Sequence, residues 1–342
     1  MRRIALAAPA AILLQLCLVA AAFAQVPGSI VGWGACQYNQ CNSFQGADFV
    51  AIAAGGAHSL GLRADGSIEA QGWAFWGQCS VPEPNADFTA VAAGGTHSLG
   101  LKVDGSIVAW GAAYNPPEPN ADFVAVAAGG IVTLPPYTPG HSLGLKADGR
   151  IVAWGDNWAG QCDVPEPNSN FVAIAAGDRY SLGLKTDGSI VAWGDNSEGQ
   201  CSVPEPNTDF VAVAAAADHS LGLKVDGTIV AWGNNNSGQC NVPEPNADFV
   251  AIAAGGEVGY GGFYSHSLGL KVDGSIVAWG WGEISGNVPA PNAGFVAIAA
   301  GNAHSLGIRT ESVAVEPATW GAIKAQFRPV EQRPSNGQHL QD

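Results

Sequence analysis

Apolar and polar positions in this chain recur in blocks, with neither a long helical face nor a continuous apolar run behind them. A run of the form FVAIAAG is followed by HSLGLKxDG and then by SIVAWG, and the set returns after about 39 residues. The opening phenylalanines are Phe49, Phe88, Phe123, Phe171, Phe210, Phe249 and Phe295. The closing tryptophan position holds Trp33, Gln71, Trp110, Trp154, Trp193, Trp232 and Trp279. The two series are out of step. Residues 28–34 are a lone GSIVGWG, and the last unit stops at Ile308 without its SIVAWG.

Blocks of five to seven residues, rich in β-branched and aromatic side chains and bounded by glycine, read as buried strands and are too short for helices. The Asp-Gly pairs at Asp65, Asp104, Asp148, Asp187, Asp226 and Asp273 separate HSLGLK from SIVAWG. Such pairs suit the two-residue type I′ turn of a hairpin. The Val-Pro-Glu-Pro-Asn motif, as at Val203 to Asn207, lacks two backbone donors and reads as an extended connector between units. Three or four antiparallel strands per unit, repeated round a ring, predict an all-β, seven-bladed β-propeller. The two half-units then have a purpose: strand 28–34 pairs with the half-blade 295–308 and closes the ring. An open solenoid would need polar caps at its ends.

Composition adds an address. Hydrophobic residues make up 47% of the 342 and charged ones 13%, with a formal net charge of −15. Arg2 and Arg3, the apolar stretch from Ile4 to Val19, and Ala22-Phe23-Ala24 have the order of a secretory signal peptide over residues 1–24. Leu16 stands before Cys17 where a lipoprotein signal has a small residue, which disfavours a lipid anchor. No later apolar run approaches a membrane span, so a soluble secreted protein is expected, whether extracellular, periplasmic or at the cell surface. An acidic body without a basic stripe repels phosphate, which excludes nucleic acid as a partner.

The pattern AAGxxHSLGLKxDGSIVAWGxNxxGQ resembles the regulator of chromosome condensation repeat over residues 28–308. The GQLG usual in that family here reads GQC, as at Gly199-Gln200-Cys201. Short units, a signal and VP-type connectors are similar in architecture to the secreted bacterial propeller that inhibits β-lactamase. The resemblance implies a seven-bladed propeller used for protein recognition. Guanine nucleotide exchange belongs to the nuclear branch and is not carried over, because an exported acidic protein meets neither a small GTPase nor chromatin.

Strand direction sorts the loops. The loops before HSLGL and those after WG share one face, termed the top; the Asp-Gly turns and PEPN connectors share the bottom. Two insertions, residues 131–140 and 257–265, fall in loops before HSLGL. Aromatic residues and arginine are enriched at binding hot spots. The candidate binding residues are therefore Trp73, Phe75, Trp76, Tyr114, Tyr137, Trp158, Arg179, Tyr180, Tyr260, Phe263, Tyr264 and Trp281. The bottom glutamates Glu83, Glu118, Glu166, Glu205 and Glu244 read as a solvated acidic rim.

Six histidines, His58, His97, His141, His219, His266 and His304, share one repeat position, which Tyr180 takes in the remaining unit. Spread round a ring, they converge on one ion at ligand distances of about 2 Å only if that ring is very narrow. They resemble the family's structural residue, which ties neighbouring strands by hydrogen bonds. Cys41, Cys79, Cys162, Cys201 and Cys240 share another position, with Cys36 as an extra. They read as small apolar fillers in place of the family's leucine, and Cys36 with Cys41 is the best-placed pair for a disulfide. Asp156-Asn157, Asp195-Asn196 and Asn234 to Asn236 open the loops after WG as turn residues. No GxSxG, HExxH, P-loop or paired catalytic carboxylate stands outside the repeat register, so no metal or cofactor is expected.

Beyond the propeller at 25–308 lies a tail, 309–342, in which Trp320, Ile323 and Phe327 at helical spacing predict a short amphipathic helix near 319–328. The reading that results is a secreted, noncatalytic binding module for a protein, with a glycan as a further partner class. Its rivals are a propeller enzyme of lyase or glycosidase type with a site in the central funnel, and a structural adhesion repeat.

Overall fold

The structure, a computed structural model, describes residues 26–42, 44–130, 140–259, 262–282 and 287–310, the side chains of 257–263 excepted. The signal segment, Tyr137, Tyr260 and the tail helix near 319–328 lie outside the described residues. Among the described residues twenty-one strands form seven three-stranded sheets, each an inner, a middle and an outer strand in antiparallel order. Blade 1 is Phe49–Ala54, His58–Arg63 and Ile68–Gly72. The inner strands surround a central channel of about 60 Å³ walled by alanine and glycine from all seven blades, such as Ala54, Gly55, Ala93, Gly94, Ala300 and Gly301.

Of the three or four strands expected per unit, three form. The GQC segment is a turn, because its glutamine folds onto its own backbone: Gln78 Oε1 accepts from Trp76 N at 2.9 Å. The PEPN connector then returns along the bottom. Its asparagine imitates a strand partner: Asn85 accepts from Ile68 N and donates to Ile68 O, both at 2.8 Å. Asn120, Asn168, Asn207, Asn246 and Asn292 repeat this on the matching isoleucines.

Ring closure follows the strand order predicted. The outer strand of blade 7 is Ser29–Gly34, paired antiparallel with His304–Arg309 from Ser29↔Arg309 to Gly34↔His304, and Phe295–Ala300 is its inner strand. Gly28 exchanges backbone hydrogen bonds with Phe49 at 3.1 and 3.2 Å, which ties the closing blade to blade 1.

The core is a chain of equivalent interfaces. Leu60, Leu62 and Ile68 of blade 1 pack with Phe88 and Trp110 of blade 2, and the same five positions meet at the next interfaces. Burying each such side chain stabilises by about 1.5–3 kcal/mol, so the repeated positions carry the ring. Blade 1 lacks its tryptophan. Phe44, from the loop after the closing strand, fills that place beside Phe49, Leu306 and Ile308.

A middle-strand glycine permits this packing. A Cβ on Gly61 would lie 2.8 Å from the Phe49 ring and 2.7 Å from Ile30, so a side chain there would push the blades apart. Below each phenylalanine ring sits a cation from the end of the middle strand, as with Lys102 over Phe88 at 4.0 Å and Arg63 over Phe49 at 4.4 Å. Seven of the basic side chains are used in this way, one per blade.

Candidate functional site

Three levels of the top face bear on function: the buried histidine ring, the loops that cover it, and the side chains those loops expose.

Each repeat histidine begins a middle strand and reaches into the next blade. His58 Nε2 lies 2.9 Å from Ser98 Oγ, and His97, His141, His219 and His266 reach Ser142, Ser181, Ser267 and Ser305 at 2.9–3.0 Å. His304 closes the circuit onto Ser59 at 2.8 Å. Ser59, Ser98, Ser181 and Ser267 donate their own protons to the carbonyls of Gln40, Gln78, Gln161 and Gln239. The facing imidazoles must therefore donate from Nε2, which makes each neutral imidazole the Nε2–H tautomer. Burial, followed by the charge of neighbouring histidines, lowers His58 and His266 to about 3; burial also leads in His141, at about 3, and acts alone in His304, at about 4. These four imidazoles are uncharged at neutral pH. Among the described residues no group of three or more His, Cys, Asp or Glu side chains is placed to hold a metal ion.

Tyr180 corrects one expectation. Placed among the binding candidates, it is 0% exposed and belongs to the ring instead. Its hydroxyl donates to His219 O at 2.5 Å and lies 2.9 Å from Ser220 Oγ, so tyrosine spans to the next blade as histidine does elsewhere. Sharing the histidine register is the signal that points inward.

The loops after WG lock each blade to the next. Gln78 O accepts from Ser98 Oγ at 2.9 Å and from Trp110 Nε1 at 2.8 Å; Gln161, Gln200 and Gln239 do the same for Trp193, Trp232 and Trp279. Where the loop lacks GQC, Tyr114 O takes over and accepts from Trp154 Nε1 at 3.2 Å. Cys79, Cys162, Cys201 and Cys240 are free thiols donating to backbone carbonyls of the same loops. Burial pushes Cys79 up to about 11 and the other three to about 12, so none is a nucleophile at neutral pH. Cys36 and Cys41 are joined in a disulfide with a Cα–Cα distance of 5.2 Å.

On this frame stand the exposed aromatics. Tyr38 is 47% exposed, Phe75 73%, Tyr114 48% and Trp158 82%. All four sit in loops after WG, and those loops follow blades 7, 1, 2 and 3 in order round the ring. They form one arc of the top rim. Within it Tyr38, Trp73, Phe75 and Trp76 are in ring contact: Tyr38–Trp73 at 6.0 Å, Trp73–Phe75 stacked at 6.0 Å, and Phe75–Trp76 edge-on at 4.9 Å. At the far end Arg179 lies 5.6 Å over the Trp158 ring and 3.5 Å from Asp178. At blade 6, the ring neighbour of blade 7, Tyr264 packs on Trp281 at 4.5 Å. The 257–265 insertion extends the blade 6 hairpin, as strands Phe249–Gly259 and Gly262–Lys271. Phe263 lies in that hairpin with its side chain outside the description.

Tyr38 was not among the residues picked from sequence. It stands five residues after Trp33, as Trp76 stands five after Gln71, so the repeat register would have found it. The backbone agrees: Tyr38 N and Trp76 N both donate to the glutamine two residues on, at 2.9 Å.

A family model described as the regulator of chromosome condensation (RCC1) repeat matches residues 171–200 and 210–239. Among solved structures, Prp20p of Saccharomyces cerevisiae, described with its binding to Gsp1p and histones, superposes with a TM-score of 0.67 at 19% identity, over 87% of this chain and 95% of its own. The CRINKLY WD40 ectodomain of the Arabidopsis thaliana receptor kinase ACR4 gives 0.57 at 23% identity, over 77% and 94%. Human WBSCR16 gives 0.55 at 15%, over 77% and 86%. No curated protein matches the sequence. At these identities the likeness establishes the fold.

Proposed function

The chain folds as a seven-bladed propeller carrying regulator of chromosome condensation repeats, and from that premise we propose that it is a noncatalytic binding module that recognises a protein through its top face. The observation that carries this reading is the arc of Tyr38, Phe75, Tyr114 and Trp158. They are the only exposed aromatics among the described residues, and all four lie on one rim. Apolar area of this kind costs solubility unless it is covered by a partner. Rigid aromatic anchors give contact area at little cost in side-chain entropy.

The channel favours binding over catalysis. Its walls are alanine and glycine with Asp178 and Asn302, and the histidines are turned to serines of the next blade. Prp20p, of like fold, is described as binding Gsp1p and histones, which agrees in kind. Export is proposed with this function, on the N-terminal segment of residues 1–24 and on a disulfide, Cys36–Cys41, of the sort that persists in oxidising compartments.

The test is affinity capture from the source organism's extracellular fraction on the parent protein and on the double variant Phe75→Ala/Trp158→Ala. A protein retained by the parent and lost by the variant, with both melting alike, supports the reading. Equal retention by the two overturns it.

A further inference from the structure

The loop that carries Tyr38 is closed differently from its equivalents. Three residues after the closing tryptophan, the other GQC loops have Asn157, Asn196 and Asn235. Each accepts from the backbone N–H of its cysteine, Cys162, Cys201 or Cys240, at 2.8–2.9 Å. Each also donates across the loop, to Asp163, Ser202 or Asn241. That asparagine is a noncovalent clasp. In the first loop the position is Cys36, and the clasp is the covalent bond to Cys41. In the second loop it is Ala74, which can do neither. There the neighbouring Trp73 instead rests on Tyr38 of the bridged loop at 6.0 Å, and Phe75 stacks on Trp73.

We infer that the Cys36–Cys41 bridge positions the aromatic patch: it clasps its own loop covalently and, through the Tyr38–Trp73 contact, orders the loop 73–79, which lacks the asparagine clasp. The inference rests on the top face being the binding face, and gives that face a redox latch. Gln37, Tyr38 and Asn39, between the two cysteines, are exposed, so a small thiol reaches the bridge. Reduction by a dithiol breaks the S–S bond with two electrons and two protons and leaves two thiols, while the dithiol becomes a cyclic disulfide. Tyr38 is then released and Trp73 and Phe75 lose their support, so the preorganisation that binding draws on is lost. The two loops, 35–47 and 72–82, contain no charged side chain. The patch therefore suits an uncharged apolar segment of the partner.

The experiment needs no partner. Amide hydrogen exchange is followed on the full protein before and after dithiothreitol at neutral pH, in peptides covering 35–41, 73–79 and the asparagine-clasped 195–201. The expected result is faster exchange in both 35–41 and 73–79, by about tenfold or more, with 195–201 unchanged as internal control. Loosening of 35–41 alone, or of neither, overturns the inference. The variant Cys36→Asn restores the asparagine clasp. It should fold, keep 73–79 as protected as in the oxidised protein, and be indifferent to dithiothreitol; continued sensitivity to the reductant also overturns it. Because the readout is exchange and not affinity, failure here is distinct from failure of the capture experiment above.

Discussion

His304 Nε2 lies 2.8 Å from Ser59 Oγ. This one hydrogen bond joins residues separated by 245 positions and completes the circuit of imidazole–serine contacts round the propeller. Ser59 also donates to Gln40 O at 2.8 Å, so it anchors the loop that carries Tyr38. Ser59→Ala leaves a buried imidazole N–H and a buried carbonyl without their partner, at a cost of about 1–3 kcal/mol. Urea denaturation should show a lowered midpoint with an unchanged slope. An unchanged midpoint would remove the closing bond from the account of stability.

Phe44 meets Phe49 edge-on at 5.5 Å where other blades set a tryptophan beside the inner-strand phenylalanine, as Trp110 with Phe88 at 6.4 Å. Phe44→Ala should cost about 3–5 kcal/mol, the range for truncating a buried aromatic. Placing the missing tryptophan by Gln71→Trp should recover part of that loss. The two variants, alone and combined, form a double-mutant cycle, and simple additivity of their effects would show that the two positions do not share one site.

The histidine ring makes the fold acid-sensitive. Free histidine titrates near 6.5, whereas His58, His141 and His266 are held at about 3 and His304 at about 4 in the fold. Below about pH 6.5 the unfolded chain therefore binds protons that the native chain refuses, and stability falls as pH falls from 6.5 towards 4. Each such histidine contributes about 1.4 kcal/mol per pH unit across that window, so four together remove several kcal/mol per unit. Melting temperatures measured from pH 8 to pH 4 should be level at the top and drop steeply below 6.5. A level curve down to pH 4 contradicts these four buried neutral imidazoles.

Thiol accessibility separates the two classes of cysteine. Cys79, Cys162, Cys201 and Cys240 are half-buried, and their thiols titrate at about 11 to 12. In the native, unreduced protein at pH 8 none of the four should take up iodoacetamide within an hour, as read by peptide mapping, and all four should do so in urea. Native labelling of any of them would mean that its loop opens.

Salt distinguishes the two ends of the aromatic arc. Trp73 and Phe75 lie in an uncharged sector, while Trp158 neighbours Arg179 and Asp178. With the captured partner in hand, Phe75→Ala should weaken binding about tenfold or more, as hot-spot truncations do, by a factor that is the same at low and high salt. The loss on Arg179→Ala should shrink as salt rises, because exposed charges are screened. A salt-dependent Phe75 effect would place charge at a patch that has none.

The sequence alone determined the architecture. Short apolar blocks, Asp-Gly turns and two half-units can satisfy their strands in few ways, and the ring closed by residues 28–34 against the C-terminal half-blade is one of them. Repetition made this legible: an error in reading one blade is corrected by the others, and positions in equal register share a chemical role. The same logic, pressed further, would have placed Tyr180 inside with the histidines and Tyr38 among the top-face candidates with Trp76. What the tertiary structure decided lies where the repeat breaks. Phe44 filling the place of the tryptophan missing at Gln71, Tyr114 O replacing a glutamine carbonyl for Trp154, and Tyr38 supporting Trp73 are contacts between different loops. A local pattern specifies strands and turns through backbone geometry, but which non-repeated side chain fills a gap depends on the packing of neighbours from adjacent blades. That is settled only when the ring is closed.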